Sequence, residues 1–169
     1  TIGSHVMNSS NTNAGGWAST EMRSYLNTES GNIYDKLPDD LKSIIITTEP
    51  IVSGIGKGGS SPNTTGDKLY LLSIHEVWED VDENTSSGID YYDTSYNNTR
   101  QLDYYAGQNV TTSSYSGAIK QNNGSNSWWW LRSARSYSTL NFFVVNYNGN
   151  WATSVASSTN GVSPAFRLR

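Results

Sequence analysis

The chain has no cysteine among its 169 residues. That excludes a disulfide framework, a cysteine-ligated zinc and a thiol nucleophile, and it leaves the compartment open. Charge is scarce too: Asp, Glu, Lys and Arg make up 15% of the chain, against about a quarter in an ordinary globular domain. Only two histidines are present, His5 and His75, and neither has a partner at ligand spacing, so no metal and no cofactor is expected. No stretch reaches the length of a membrane helix and none has the build of a secretory signal, so no membrane insertion is expected. Acidic residues are missing from the C-terminal part: all lie at or before Asp103, and the remainder carries only Lys120, Arg132, Arg135, Arg167 and Arg169 as charges. These five form no cluster, and no nucleic-acid partner is expected. No catalytic constellation stands out anywhere.

What is abundant is Ser, Thr and Asn, together about a third of the chain, with aromatics at 12%. That aromatic content argues against a disordered tail. A chain of this length forms a single domain, residues 1–169, able to bury about two-thirds of its unfolded surface. Tyr, Ser, Asn and Trp are also the alphabet of antibody paratopes, where they supply contact area and hydrogen bonds at low entropic cost. The composition suits an extracellular, cell-surface or virion domain that meets a partner through such side chains; ordinary β-protein surface has much the same look.

The last quarter, Ser127 to Arg169, organises the rest. Trp128 to Leu131 and Val162 to Leu168 are dense in large apolar residues, and the second run looks like a final buried strand. On a strand, Trp128 and Trp130 share one face and Trp129 takes the other. Asn148-Gly149 lies between NFFVVNY and NWATSV and favours a type I′ turn, which predicts a hairpin over about Asn141 to Val155. Its register is open, because Phe142, Phe143, Val144 and Val145 are apolar on both faces. Either the hairpin is buried on both sides or one apolar row is an exposed contact surface.

Upstream, the opening Thr1 to His5 partly resembles a cloning scar, and the chain reads as a domain cut from something longer. Trp17, Met22, Tyr25 and Leu26 fall near helical spacing, with Ser19 or Thr20 as cap and Glu21 in the first turn. A second short helix is predicted from Pro38 through Leu41, Ile44 and Ile45. Pro50 then suggests an edge position in an extended stretch, Thr47 to Val52. Gly54 to Gly66 reads as a surface loop, since it lacks P-loop spacing around Lys57. Lys68 to Leu72 reads as a strand, and Ser73 to Glu76 as a capping box opening a short helix. Asp80 to Asn84 with Asp90 gathers oxygen ligands, but Thr85 and Tyr91 stand where an EF-hand needs Gly and Glu, which leaves a solvated acidic loop or a looser calcium site. Ile89 to Gln121, rich in Tyr, Ser and Asn, reads as a long insertion over the sheet. The sequons at Asn63, Asn97 and Asn109 are expected by chance in such a composition.

Taken in order, Gly15-Gly16-Trp17, Tyr25-Leu26-Asn27, Leu37-Pro38, Lys68 to Ser73, Trp129-Trp130-Leu131-Arg132-Ser133 and Gly161 to Leu168 resemble a bacterial and phage domain family of unknown biochemical role. That family carries a WWLRS motif and a GV-x-PAF-x-L ending, and it looks C-type-lectin-like. The resemblance implies an α+β fold with two short helices, a twisted, mostly antiparallel sheet and long loops. It implies no catalytic residues. The related formylglycine-generating oxidases need cysteine, and the acids between Asp80 and Asp103 show no spacing for a hydrolytic pair, so a non-enzymatic role is expected.

Some C-type-lectin-like domains with this kind of C-terminus are variable proteins of diversity-generating retroelements, in which adenines of Asn codons are randomised. Such codons cannot yield Lys, Glu, Gln, Met or Trp, and Ala134 to Gly161 holds none of these but Trp151. Short polar strands have the same composition without a retroelement. The resemblance thus implies a ligand-binding module with a variable-type segment of about 134–161. Its expected display residues are Arg135, Tyr137, Thr139, Leu140, Phe143, Val145, Tyr147, Asn150, Thr153, Ser154, Val155 and Ser157. The partner would be a protein or glycan on a host or cell surface; a structural or carbohydrate-binding module of a tail fibre or surface protein is the alternative.

Overall fold

The computed structural model describes residues 1–57, 63–81, 87–94 and 100–169. The tryptophan run enters the interior on a strand, Trp129–Ala134 (β7), whose residues are all buried. It pairs antiparallel with Asn141–Val145 (β8), which pairs in turn with Trp151–Val155 (β9). On the far side of β7, Asn160–Gly161 (β10) runs parallel to it, and Ser4–His5 (β1) completes the sheet antiparallel to β10. Three two-stranded sheets flank this one: Ile45–Ile46 (β2) with Arg167–Leu168 (β11), Thr48–Ser53 (β3) with Asn63–Asp67 (β4), and Lys120–Asn122 (β5) with Ser125–Ser127 (β6). Short helices fill the connections: Glu21–Asn27 (α1), Asp39–Ile44 (α2), Ile74–Val77 (α3), Tyr91–Thr94 (α4) and Asp103–Gly107 (α5). The fold is α+β, with several small antiparallel sheets. The opening residues resembling a cloning scar belong to the main sheet through β1.

Local signals held where both partners lie a few residues apart. Of the two expected caps, Ser19 and Thr20, it is the Thr20 hydroxyl that caps α1 by accepting from the Arg23 amide, with Glu21 in the first turn, and a 3-10 turn at Trp17–Ser19 precedes it. Ser73 and Glu76 form the expected capping box on α3. The second helix stops at Ile44, one residue early, because Ile45 turns extended to pair with Leu168.

The β-strand expectations need more correction. Asn63 to Gly66, the end of the expected loop, belong with Asp67 to β4, fixed where Asp67 accepts from Trp17 Nε1 and Arg23 Nε at 2.9 and 2.8 Å; residues 58–62 of that loop lie outside the described residues. Leu69 to Leu72 are buried, but Lys68 and Leu69 lie in a bend and the stretch forms no ladder among the described residues. Tyr70 exchanges hydrogen bonds with Ala165, Leu72 O accepts from Arg132 N, and Leu69 is bonded by the Asn27 side-chain amide. The terminal run is not a buried strand either: Val162 is buried, whereas Phe166 and Leu168 are 39% and 51% exposed. The hairpin turn is the loop Asn146–Asn150, since Val145 pairs with Trp151. Within it Gly149 has φ 91° and Asn148 is not at positive φ, so the turn is not type I′.

One core joins these pieces, with Trp17, Trp78, Trp129, Trp130, Phe142 and Phe143 among its largest fully buried side chains. The two buried tryptophans of β7 diverge as strand alternation demands: Trp129 Nε1 donates to Ala118 O, and Trp130 Nε1 donates to His5 O. Trp128 packs against the core only in part.

Candidate functional site

The first strand of the hairpin is buried on both faces, while its second strand is half-buried. Strand β8 is an inner strand between β7 and β9, and Phe142 to Val145, which alternate between its two faces, are all inaccessible. Phe143 packs edge-on to Trp151, with ring centroids 5.9 Å apart. Val145 sits opposite both Trp129 and Trp151. Phe143 and Val145 are therefore core residues, not display residues. A continuous apolar run is the mark of a strand covered on both faces.

The remaining display residues divide between the two ends of the hairpin. At one end, residues 135–140 join β7 to β8 on a platform built by Asn13, itself buried. The Asn13 side-chain amide donates to the carbonyls of Arg135, Ser138 and Asn141 at 2.7–3.0 Å, and its backbone N–H donates to Thr139 O. The Ser138 hydroxyl donates to Asn141 Oδ1 and accepts from the Leu140 amide. Arg135 is half-buried and donates through Nε to Ser87 O, so it anchors this loop. Against that fixed backbone Tyr137 is 53% and Leu140 40% exposed, with Thr139 and Ser157 exposed beside them.

At the other end, Asn146 Oδ1 accepts from the Asn148 and Asn150 amides, and Gly149 lies so close to Tyr115 O that a Cβ would clash. Tyr147 is exposed there, while Asn150 is half-buried and its Oδ1 accepts from Trp151 N. Thr153, Ser154 and Val155 run between the ends on the edge strand β9, each half-buried. Five strand residues span about 17 Å, so the two ends can serve one macromolecular surface but not one small ligand.

Sequence reasoning missed a cleft of about 500 Å³, lined by none of the expected display residues. The ladder between β3 and β4 is irregular from Thr48 to Ile51, and Glu49 and Pro50 stand exposed at the cleft wall. Its inner wall is Arg132, 5% exposed, whose Nε donates to Val52 O and whose Nη1 donates to Leu71 O and Glu76 Oε2. The same Glu76 oxygen accepts from Ser73 N, so the capping-box glutamate also neutralises a buried guanidinium. Tyr70 lines the cleft as well. Burial and then the Glu76 carboxylate raise its pKa, against the opposing pull of Arg132, Arg167 and Thr48. The hydroxyl therefore stays protonated at neutral pH. Thr48 Oγ1 is near enough to act on it, yet makes no hydrogen bond of good geometry among the described residues.

A family profile described as Domain of unknown function (DUF6273) matches residues 2–169. The chain belongs to this family. No curated relative and no solved structure matches it.

Two further features of this DUF6273 domain bear on chemistry. Asp93 on α4 is fully buried, accepts from Gly54 N at 3.4 Å, and leaves Oδ1 without a partner among the described residues. Burial raises its pKa to about 7, with Asp90 adding and Arg132, Ser133 and Gly54 opposing. Asp90 and Asp93 are thus electrostatic neighbours that spacing did not reveal, but Asp93 is closed off from any substrate. The metal question divides along the chain. His5 stacks on Tyr25 with centroids 4.1 Å apart, His75 Nε2 contacts Glu79 O, and Asp80 accepts from Thr112. Among the described residues no three His, Asp or Glu side chains converge. Asp82, Glu83 and Asn84 of the acidic loop, and the sequon Asn97, lie outside the described residues.

Proposed function

We propose that this DUF6273 domain is a non-catalytic, C-type-lectin-like binding module at a cell or virion surface, recognising a protein or glycan on a target surface. The observation that carries the reading is the 135–140 loop: Tyr137 and Leu140 are held out in solvent by a backbone that Asn13, Ser138 and Arg135 bond in place. Apolar and aromatic groups on an ordered loop lose little conformational freedom when a partner covers them, which is how an interface gains affinity from preorganisation. Thr139 and Ser157 flank them, and Tyr147, Asn150 and the edge strand β9 extend the same surface. The retroelement reading rests on composition, and a near-repeat of the segment's coding DNA beside a reverse transcriptase gene is its own test.

The binding test uses fluorescently labelled domain on a glycan array and on intact bacterial cells, with a Tyr137→Ser/Leu140→Ser variant as control. The wild type is expected to bind at least one target, and the variant to lose that binding while its melting midpoint stays within about 3 °C, since exposed substitutions change stability by only about 0.5 kcal/mol each. Equal binding by both proteins, or unfolding of the variant, refutes the assignment of this face.

A further inference from the structure

The cleft beneath β3 is a second site, independent of the face formed by residues 135–140, and we propose that it binds a carboxylated sugar residue of the uronic-acid type. Its volume of about 500 Å³ falls within the range of small-ligand pockets, about 300–1,000 Å³. Three guanidiniums, Arg100, Arg132 and Arg167, face two carboxylates, Glu49 and Glu76. Two of these charges are committed to each other, because Arg132 and Glu76 form a buried ion pair that also fixes the carbonyls of Val52 and Leu71. Among the described residues Arg100 is held by an exposed pair with Asp103, of the kind that contributes little. Arg167 and Glu49 make no ion pair among the described residues and are exposed at the cleft.

An anion alone does not suit this mixture. A phosphate dianion entering beside Arg167 would set two negative charges against the unpaired Glu49, and like charges at close range oppose it. A uronic acid carries one carboxylate and several hydroxyls on the same ring. Its carboxylate suits the planar fork of Arg167, with Arg100 beside it, through charge-assisted bonds. Its hydroxyls donate to Glu49 and exchange hydrogen bonds with the neutral Tyr70 hydroxyl, while Pro50 and Leu102 supply apolar wall for the ring.

The test is a chemical-shift titration of ¹⁵N-labelled domain with methyl glucuronide, methyl glucoside and inorganic phosphate. Methyl glucuronide is expected to shift the amides of Glu49, Tyr70 and Arg167, and to bind at least about tenfold more tightly than methyl glucoside, the difference one charged hydrogen bond makes. Arg167→Ala should remove that preference while leaving the spectrum folded, and Glu49→Gln should weaken both sugars. Equal binding of the two glycosides, tighter binding of phosphate, or shifts confined to residues outside the cleft overturns the proposal. The Tyr137→Ser/Leu140→Ser variant should bind methyl glucuronide like the wild type, so failure here and failure of the 135–140 face are told apart.

Discussion

Replacing Asp93 by Asn should stabilise the protein at alkaline pH and leave it unchanged in acid. The carboxyl is sealed between α4 and the Gly54 backbone, with one oxygen bonded weakly and the other not at all among the described residues. Burial lifts its pKa from 3.8 to about 7. Between those values the folded protein holds a proton that the unfolded chain has released, so unfolding releases that proton and stability falls as pH rises through the window. Each pH unit contributes about 1.4 kcal/mol, and the window spans about three units, which sets a ceiling of about 4 kcal/mol. Relaxation around the ionised group brings the expected value to about 2–4 kcal/mol.

Asn is nearly isosteric with the protonated acid, keeps an acceptor for Gly54 N and carries no charge. Urea denaturation of both proteins from pH 4 to pH 8 isolates the effect, because every other titrating group is common to the pair. The difference in unfolding free energy should be near zero at pH 4 and should grow in favour of Asp93→Asn until it levels above pH 7. Parallel pH profiles would refute the reasoning. A variant less stable at pH 8 would show that Arg132 holds Asp93 ionised in the fold, with its pKa below the ordinary 3.8.

Two further outcomes are expected. Trp129→Ala should cost about 3–5 kcal/mol by urea denaturation, since it empties a fully buried site, removes the bond to Ala118 O and strips the ring beneath the Lys120 ammonium at 4.9 Å; an unchanged midpoint would contradict the architecture. Treatment with EDTA should leave the melting midpoint where it was, and a fall restored by calcium would revive a site in the acidic 80–90 loop.

The parts of the fold that were legible in the sequence are those whose partners lie within one turn. Thr20 with Arg23, and Ser73 with Glu76, each satisfy a helix end locally, so residue types at fixed spacing suffice. The apolar quartet of β8 is different. Its two readings have identical local chemistry, and only the core packed against both faces of the sheet decides between them. The terminal run misled for a related reason: Pro164 cannot donate to a ladder, Ala165 meets Tyr70 in an isolated bridge, and the pairing that does form, Arg167–Leu168 with the short β2, leaves both residues exposed. The cleft and Asp93 were invisible because they assemble across long sequence separations, Glu76 with Arg132 and Gly54 with Asp93, and each residue alone resembles a surface charge.

The WWLRS motif itself is framework from end to end, and that has a consequence for where function can reside. Trp129 pairs with Val145 on one side and Gly161 on the other, and Trp130 pairs with Val144. The ladder then breaks: Arg132 N turns to Leu72 O and Ser133 Oγ accepts from Ile74 N, before Ala134 rejoins Phe142. One strand therefore ties the main sheet to the segment that leads into α3, and substitution of almost any motif residue removes buried contacts costing several kcal/mol. Loss of binding in such variants reports unfolding. What the motif leaves free is what it holds in place: the exposed side chains of residues 137–140 beyond its C-terminal end, and the cleft whose inner wall is Arg132. Exposed positions tolerate replacement at about 0.5 kcal/mol or less, so side chains there can change without disturbing the buried Trp129–Ser133 framework.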